Sequence, residues 1–199
     1  MMSLIDLDFD TPEAMLEEVQ SMMHIMDALF DDLCLSDYAA VQSLRYCISP
    51  HIILGLSDDH LDAIFATGLN FLQAGDVAQA QAVFFKLTTL KSIDYRFWYA
   101  LGTTLQMQQK LAEAARMYMM SLGLKATDVD GYLRLGECLL AAEELENALG
   151  AFQTAYALCE DGHGQEDQKT AAVKMIAHIE ERMHLEDVGA DPTSLKGNT

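Results

Sequence analysis

Small and bulky residues recur in the middle of the chain at intervals of 34 positions. Glycine stands at Gly68, Gly102 and Gly136, and each is followed by an alanine after twelve residues and an aromatic ring after sixteen. Further bulky residues lie four positions before and three after each glycine. The aligned sets are Ala80, Ala114 and Ala148; Phe84, Tyr118 and Phe152; Ile64, Trp98 and Tyr132; and Phe71, Leu105 and Leu139. Five aligned positions in three copies indicate an internal repeat.

A 34-residue period of this kind is typical of the tetratricopeptide repeat, which is a pair of antiparallel helices. The pattern predicts helices at 59–73, 77–90, 94–107, 111–124, 129–141 and 145–158. Gly75 lies between the first two and suits the left-handed residue that often follows a helix. The proline that often closes such a repeat is absent, since Ser92, Ala126 and Glu160 stand there. We therefore predict an all-α protein with three repeats in a short solenoid.

The segments on both sides of the repeats are also predicted to be helical. Thr11-Pro12-Glu13 is typical of a helix start, and apolar residues follow it at helical spacing through about residue 33. A second short helix is predicted at 37–46, loops at Ser49-Pro50 and Gly55, and a capping helix at 165–184. The predicted organisation is an acidic helical arm at 1–55, three repeats at 56–160, a C-terminal capping helix at 161–185 and a disordered tail at 186–199.

The strong acidity of the chain narrows the range of its partners. Among 199 residues, 31 acids stand against 12 bases, for a net charge of −19. The first 60 residues hold twelve of these acids and one base, Arg45. Nucleic acids and anionic membranes both require Lys and Arg, so neither is an expected partner. The charge indicates either a solubilising surface or a partner that is basic or strongly apolar.

The same sequence lacks the usual signs of export, membrane insertion and catalysis. The acidic N-terminus does not have the pattern of a secretory signal, and no apolar run is long enough for a membrane span. The four cysteines form no CxxC pair and fit reduced thiols in the cytoplasm. Patterns for a catalytic nucleophile, a zinc site or a phosphate-binding loop are missing. We therefore expect no enzymatic activity, no cofactor and no metal.

Peptide binding is the function that the repeats favour. In tetratricopeptide arrays the first helix of each repeat lines a concave groove, which is apolar at its N-terminal end here and can hold apolar anchors of a peptide. The candidate binding residues are Phe65, Leu69, Leu72, Tyr99, Thr103, Met107 and Leu133. An alternative is that the chain's own N-terminal helix covers Phe65, Leu69 and Leu72. The two hypotheses are compatible if that helix moves.

Adaptors that grip the carboxylate tail of heat-shock proteins have a cationic groove lined by Lys, Arg and Asn. In this chain only Arg134 falls at one of the corresponding groove positions, so that function is not expected.

Several segments resemble the class II chaperones of bacterial type III secretion, the SycD/LcrH group. The similar segments are Leu56–Leu61, Gln73–Asp76 with Ala80 and Val83-Phe84, Asp94–Trp98 with Leu101-Gly102, and Gly136–Leu140. The resemblance covers about residues 56–160. It implies a bacterial cytoplasmic chaperone that holds an extended apolar segment from each of two hydrophobic secreted translocator proteins. Such binding keeps the clients soluble and competent for export.

The resemblance also implies a homodimer formed through the N-terminal region. The candidate dimerisation residues are Met15, Val19, Met22, Met26 and Leu29. Methionine adapts to varied apolar partners, which suits such an interface. The alternative is that these side chains pack on the first repeat. As a second hypothesis for function, the chain is a general tetratricopeptide scaffold or adaptor for a folded protein partner.

Overall fold

The computed structural model of the protein describes residues 49–189, and every regular element in that range is an α-helix. The helices are α1 (Pro50–Ile53), α2 (Asp58–Gln73), α3 (Val77–Leu90), α4 (Tyr95–Met107), α5 (Leu111–Leu124), α6 (Val129–Ala141), α7 (Leu145–Glu160) and α8 (Glu166–Gly189). The six repeat helices begin and end within two residues of their predicted bounds. The all-α fold is thus confirmed. The predicted N-terminal helices and dimerisation residues lie outside the described residues.

The chain divides into two compact units, Met1–Phe97 and Trp98–Thr199, and the division falls inside α4. In the first unit, α2 and α3 form a hairpin with a core that includes Leu61, Ile64 and Phe84. A Cβ atom built on Gly68 would lie 2.5 Å from the Phe84 ring. A repeat glycine and the ring sixteen residues later are therefore in direct contact between α2 and α3, which the sequence pattern did not predict.

A sequence-based expectation is wrong at Ser49-Pro50, where we predicted a loop and the structure has the one-turn helix α1. Ser49 is extended and Pro50 takes the first helical position, where its missing N–H is not needed. The Ser49 hydroxyl donates to the Leu90 carbonyl at 3.1 Å, and a ring nitrogen of buried His51 lies 3.3 Å from the same oxygen. These contacts hold α1 against the end of α3.

The second unit contains two more hairpins and the capping helix. In α4–α5 and α6–α7 the glycine–ring contact recurs between Gly102 and Tyr118 and between Gly136 and Phe152. Ile179 of α8 joins the core formed by Ala148 and Phe152. Helix α8 continues to Gly189, beyond its predicted end at residue 184. The predicted tail therefore begins too early, because no glycine or proline interrupts the chain before Gly189.

The three hairpin turns share one left-handed backbone position. Gly75 has φ = +81°, as predicted, and the equivalent residues Gln109 and Glu143 have φ = +61° and +62°. A residue with a side chain rarely adopts this conformation without cost. The turn geometry is therefore kept in the second and third repeats although the glycine is not. Among the described helices, none is both long and apolar enough to cross a bilayer.

Candidate functional site

The first predicted binding surface lies on α2 and is called the α2 face (Asp62, Phe65, Leu69, Leu72). Phe65 is half-buried, and its ring centroid lies 5.5 Å from those of Phe84 and Phe97. Leu72 is also half-buried, whereas Leu69 is 39% exposed. Phe65 is thus partly a core residue, and Leu69 has the most freedom to contact a partner.

A charged clamp borders the α2 face. Arg96 donates from Nη2 to Asp62 at 2.9 Å and to Asp94 at 2.7 Å, and from Nε to Asp94 at 3.0 Å. Burial would raise the pKa of Asp94, but hydrogen bonds and charge from Arg96 outweigh it and hold the pKa below its usual value. The guanidinium also lies 5.7 Å from the centre of the Phe65 ring. Because both carboxylates are paired with Arg96, no free cation lies beside the apolar side chains of the α2 face.

The second surface is polar and is called the α4–α6 face (Tyr99, Thr103, Gln106, Arg134, Glu137). The Tyr118 hydroxyl donates to Gln106 Oε1 at 2.7 Å, and Gln106 Nε2 donates to Glu137 Oε2 at 2.9 Å. Arg134 Nη1 donates to the same Glu137 oxygen at 3.0 Å. Burial raises the pKa of Tyr99, although a hydrogen bond with Arg134 opposes it. A continuous hydrogen-bonded row thus runs from α5 through α4 to α6.

The remaining predicted site residues have different surroundings. Thr103 is half-buried, and its hydroxyl donates to the Tyr99 carbonyl at 3.1 Å. Met107 is 52% exposed. Leu133 packs against the core shared by α7 and α8. Met107 therefore has surface available for a partner, while Leu133 serves chiefly as a core residue. The seven binding assignments remain predictions.

The hydrogen-bonded row is a feature that sequence reasoning missed. Its signal was the tyrosine at position 118, where the other repeats have Phe84 and Phe152. A hydroxyl on an otherwise buried ring needs a partner, and Gln106 supplies it. Elsewhere, within residues 49–189, no three His, Cys, Asp or Glu side chains are grouped closely enough to hold a metal ion. Burial raises the pKa of the Cys138 thiol to about 11, which makes it a poor nucleophile.

Solved structures of other proteins share this helical fold. No family model matches the chain. The uncharacterised protein YgeG of Escherichia coli K12 is 23% identical over 112 residues, covering 55% of this chain and 68% of YgeG. A crystal structure of PcrH in complex with the chaperone binding region of PopD is 28% identical, with a TM-score of 0.62, and covers 65% of this chain and 97% of PcrH. The chain is thus similar to the class II chaperones of type III secretion.

Another solved structure has the same fold. The type III secretion translocator chaperone SycD of Yersinia enterocolitica, in an alternative dimer, is 24% identical with a TM-score of 0.60. The match covers 64% of this chain and 96% of SycD. At this identity the likeness shows the fold alone. The resemblance to class II chaperones that the sequence indicated is confirmed.

Proposed function

We propose that the protein is a non-catalytic cytoplasmic chaperone that binds an extended apolar segment of type III secretion translocators. The observation that carries this proposal is the likeness to PcrH, which was solved with the chaperone binding region of PopD. Binding would keep such clients soluble and competent for export. The large negative charge of the chain suits this role because net charge keeps a complex with an apolar client in solution.

The α2 face supplies the apolar part of the binding surface. Leu69 is exposed beside Phe65, and the neutralised Arg96 leaves no free cation in competition with an apolar client. Full burial of one leucine side chain contributes about 1.5–3 kcal/mol. One or two client anchors on this face therefore provide much of the binding free energy.

The α4–α6 face supplies hydrogen bonds for an extended backbone. An extended segment leaves its own N–H and C=O groups unpaired, so it needs partners on the protein. Arg134 has five N–H donors, and half of its side chain is exposed while it contacts Glu137. Glu137, which is also partly exposed, accepts hydrogen bonds from two neighbours and has lone pairs left for a client N–H. This face accordingly fixes the register of the client.

We also propose that the protein forms a homodimer through residues 12–33. SycD of Yersinia enterocolitica has been solved as a dimer, and the apolar positions at helical spacing in this segment suit an interface between helices. Sedimentation of the full chain, and of a variant with Met22→Glu and Met26→Glu, tests this. The full chain should sediment as a dimer and the variant as a monomer.

The test of client binding is the affinity of the full chain for a labelled N-terminal segment of a translocator encoded at the same locus. Leu69→Glu and Met107→Glu should each weaken binding tenfold or more and leave the helical circular dichroism unchanged. Phe85→Glu is the matched control, because Phe85 is 57% exposed on α3 and is not one of the seven candidate binding residues. Equal affinity in all four proteins would refute the assignment of Leu69 and Met107 to the binding site. Capture of only a folded cytosolic protein would instead support the adaptor hypothesis.

A further inference from the structure

Arg96 has hydrogen-bond donors that the charged clamp does not use. A guanidinium group carries five N–H donors. Three of them are occupied, since Nε donates to Asp94 and Nη2 donates to both Asp94 and Asp62. Nη1 carries the other two, and within residues 49–189 neither of them has an acceptor. Arg96 therefore has two N–H groups available for a partner.

The neighbours of Arg96 fix the orientation of these donors. Asp94, whose side chain is only 10% exposed, binds Nε and Nη2 along one edge of the planar group. The guanidinium carbon lies over two rings, 5.7 Å from the centre of Phe65 and 5.6 Å from that of Phe97. The Arg96 side chain nevertheless keeps 40% of its surface exposed. Nη1 lies away from the edge that Asp94 holds, so its donors are oriented before a partner arrives.

The Nη1 donors border the apolar surface that we assign to the client. Arg96 is bonded to Asp62 of the α2 face and lies over Phe65, one turn of α2 before the exposed Leu69. An apolar client side chain is only a few bonds long, so packing it on Phe65 and Leu69 brings the main chain of the client to the same border. A main-chain oxygen beside such an anchor is therefore within reach of Nη1.

The charges around Nη1 determine which kind of acceptor fits. Arg96 carries one positive charge, whereas its partners Asp62 and Asp94 are both negative, and the whole chain has a net charge of −19. A carboxylate of the client would meet this negative surplus and be repelled. A main-chain carbonyl is a neutral acceptor, and an extended segment leaves such groups unpaired. The main-chain carbonyl is therefore the acceptor that the clamp favours.

We propose that Arg96 is a client-binding residue whose Nη1 donates to a main-chain carbonyl of the client, beside the residue anchored on Phe65 and Leu69. This inference rests on the proposed function. It adds Arg96 to the seven binding residues that the sequence predicted. Because the bond recognises the main chain, it fixes the position of the client on the α2 face without requiring a particular polar side chain.

A double-mutant cycle tests this hydrogen bond. The probe is the labelled translocator segment of the client-binding test, made also with single main-chain amides replaced in turn by esters, whose carbonyl oxygens are weaker acceptors. Arg96→Lys keeps the positive charge beside Asp62 and Asp94 but lacks Nη1. It should weaken binding of the unmodified segment about tenfold, as expected for a hydrogen bond from a charged group. Arg116→Lys, at an exposed arginine of α5, is the matched control and should have no effect.

The ester series separates a direct bond from an indirect effect. One ester position should weaken binding to the wild type and cause no further loss in Arg96→Lys. If every ester weakens binding equally in both proteins, Arg96 acts only through the packing of Phe65, and the inference is overturned. It is also overturned if the effect of Arg96→Lys disappears when an Asp or Glu of the client is replaced by Asn or Gln, because the acceptor is then a carboxylate.

Two further results complete the test. If Arg96→Lys fails to fold, ¹⁵N NMR of the wild type decides, because slower hydrogen exchange at Nη1 of Arg96 in the complex supports the inference and unchanged exchange overturns it. If Arg96→Lys folds and binds the segment as tightly as the wild type does, this inference alone is overturned. Absence of binding by the wild type would overturn the proposed function as well.

Discussion

A Cβ atom built on Gly136 would lie 2.7 Å from Cζ of Phe152, sixteen residues later in the chain. The ring thus occupies the space that any side chain at position 136 would need, and α6 and α7 approach each other closely at this point. Equivalent contacts join Gly68 to Phe84 and Gly102 to Tyr118. The two helices of each hairpin can therefore approach this closely only because the repeat glycine has no Cβ atom.

Gly136→Ala should consequently destabilise the protein by about 1–3 kcal/mol, because the added methyl group forces the Phe152 ring to move. Gly150→Ala is the control, since its Cβ meets open space, and it should stabilise the protein by about 0.5–1 kcal/mol. Urea unfolding followed by circular dichroism measures both. A neutral Gly136→Ala variant would show that the ring is free to move.

The left-handed turn residue Gln109 offers a route to higher stability. Gln109 is exposed with φ = +61°, where a residue with a Cβ atom is strained by about 1–2 kcal/mol. Gln109→Gly should raise the free energy of unfolding by about 1 kcal/mol, because it removes this strain. The greater conformational freedom of glycine in the unfolded chain offsets part of that gain. The reciprocal change, Gly75→Ala, should lower it by a similar amount. A midpoint of urea unfolding that falls in Gln109→Gly would contradict this account. Glu143 is less suitable, because its carboxylate binds Arg182.

The Tyr118→Phe variant removes the hydroxyl and keeps the ring, so it measures the contribution of the hydroxyl alone. The ring should keep its packing, since Phe84 and Phe152 occupy the equivalent positions. Loss of the 2.7 Å bond leaves Gln106 Oε1 without this donor and should cost about 1 kcal/mol. Because Gln106 also orients Glu137, client binding should weaken, whereas the helical circular dichroism should not change. Client affinity equal to that of the wild type would show that the row has no part in binding.

Stability at low pH should depend on Asp94. Its pKa in the folded protein lies below the unfolded value of 3.8, so the ionised carboxylate stabilises the fold above about pH 4. This contribution is lost as the pH falls through the folded pKa. Asp94→Asn should therefore be less stable than the wild type at pH 7, by about 1–2 kcal/mol, and should change less between pH 5 and pH 2. The measurement is thermal unfolding of both proteins as a function of pH. An equal loss of stability in the two proteins between pH 5 and pH 2 would show that the interaction of Asp94 with Arg96 does not stabilise the fold.

Much of the fold could be predicted because each repeat obeys local rules. Helical periodicity, Gly75 and the Ser57 N-cap fix the elements, and the structure has Ser57 and His60 in reciprocal capping hydrogen bonds. The end of α8 was misplaced because a polar sequence can continue a helix as well as end it. Helix α1 was missed because its contacts with Leu90 join distant parts of the chain. Of the site residues, Leu69 and Met107 are exposed, whereas Leu133 packs against the core beside α8.

The sequence by itself determined the all-α repeats and their helices, because a 34-residue period repeats the same short-range constraints three times. Only the tertiary structure decided which of the candidate residues are exposed and which contacts they make. Phe65 is shared between the surface and a ring cluster, Arg96 is neutralised by Asp62 and Asp94, and Tyr118 organises Gln106 and Glu137. These relationships join residues on different helices. A helical period specifies which face a side chain occupies, but not the partner that it meets there.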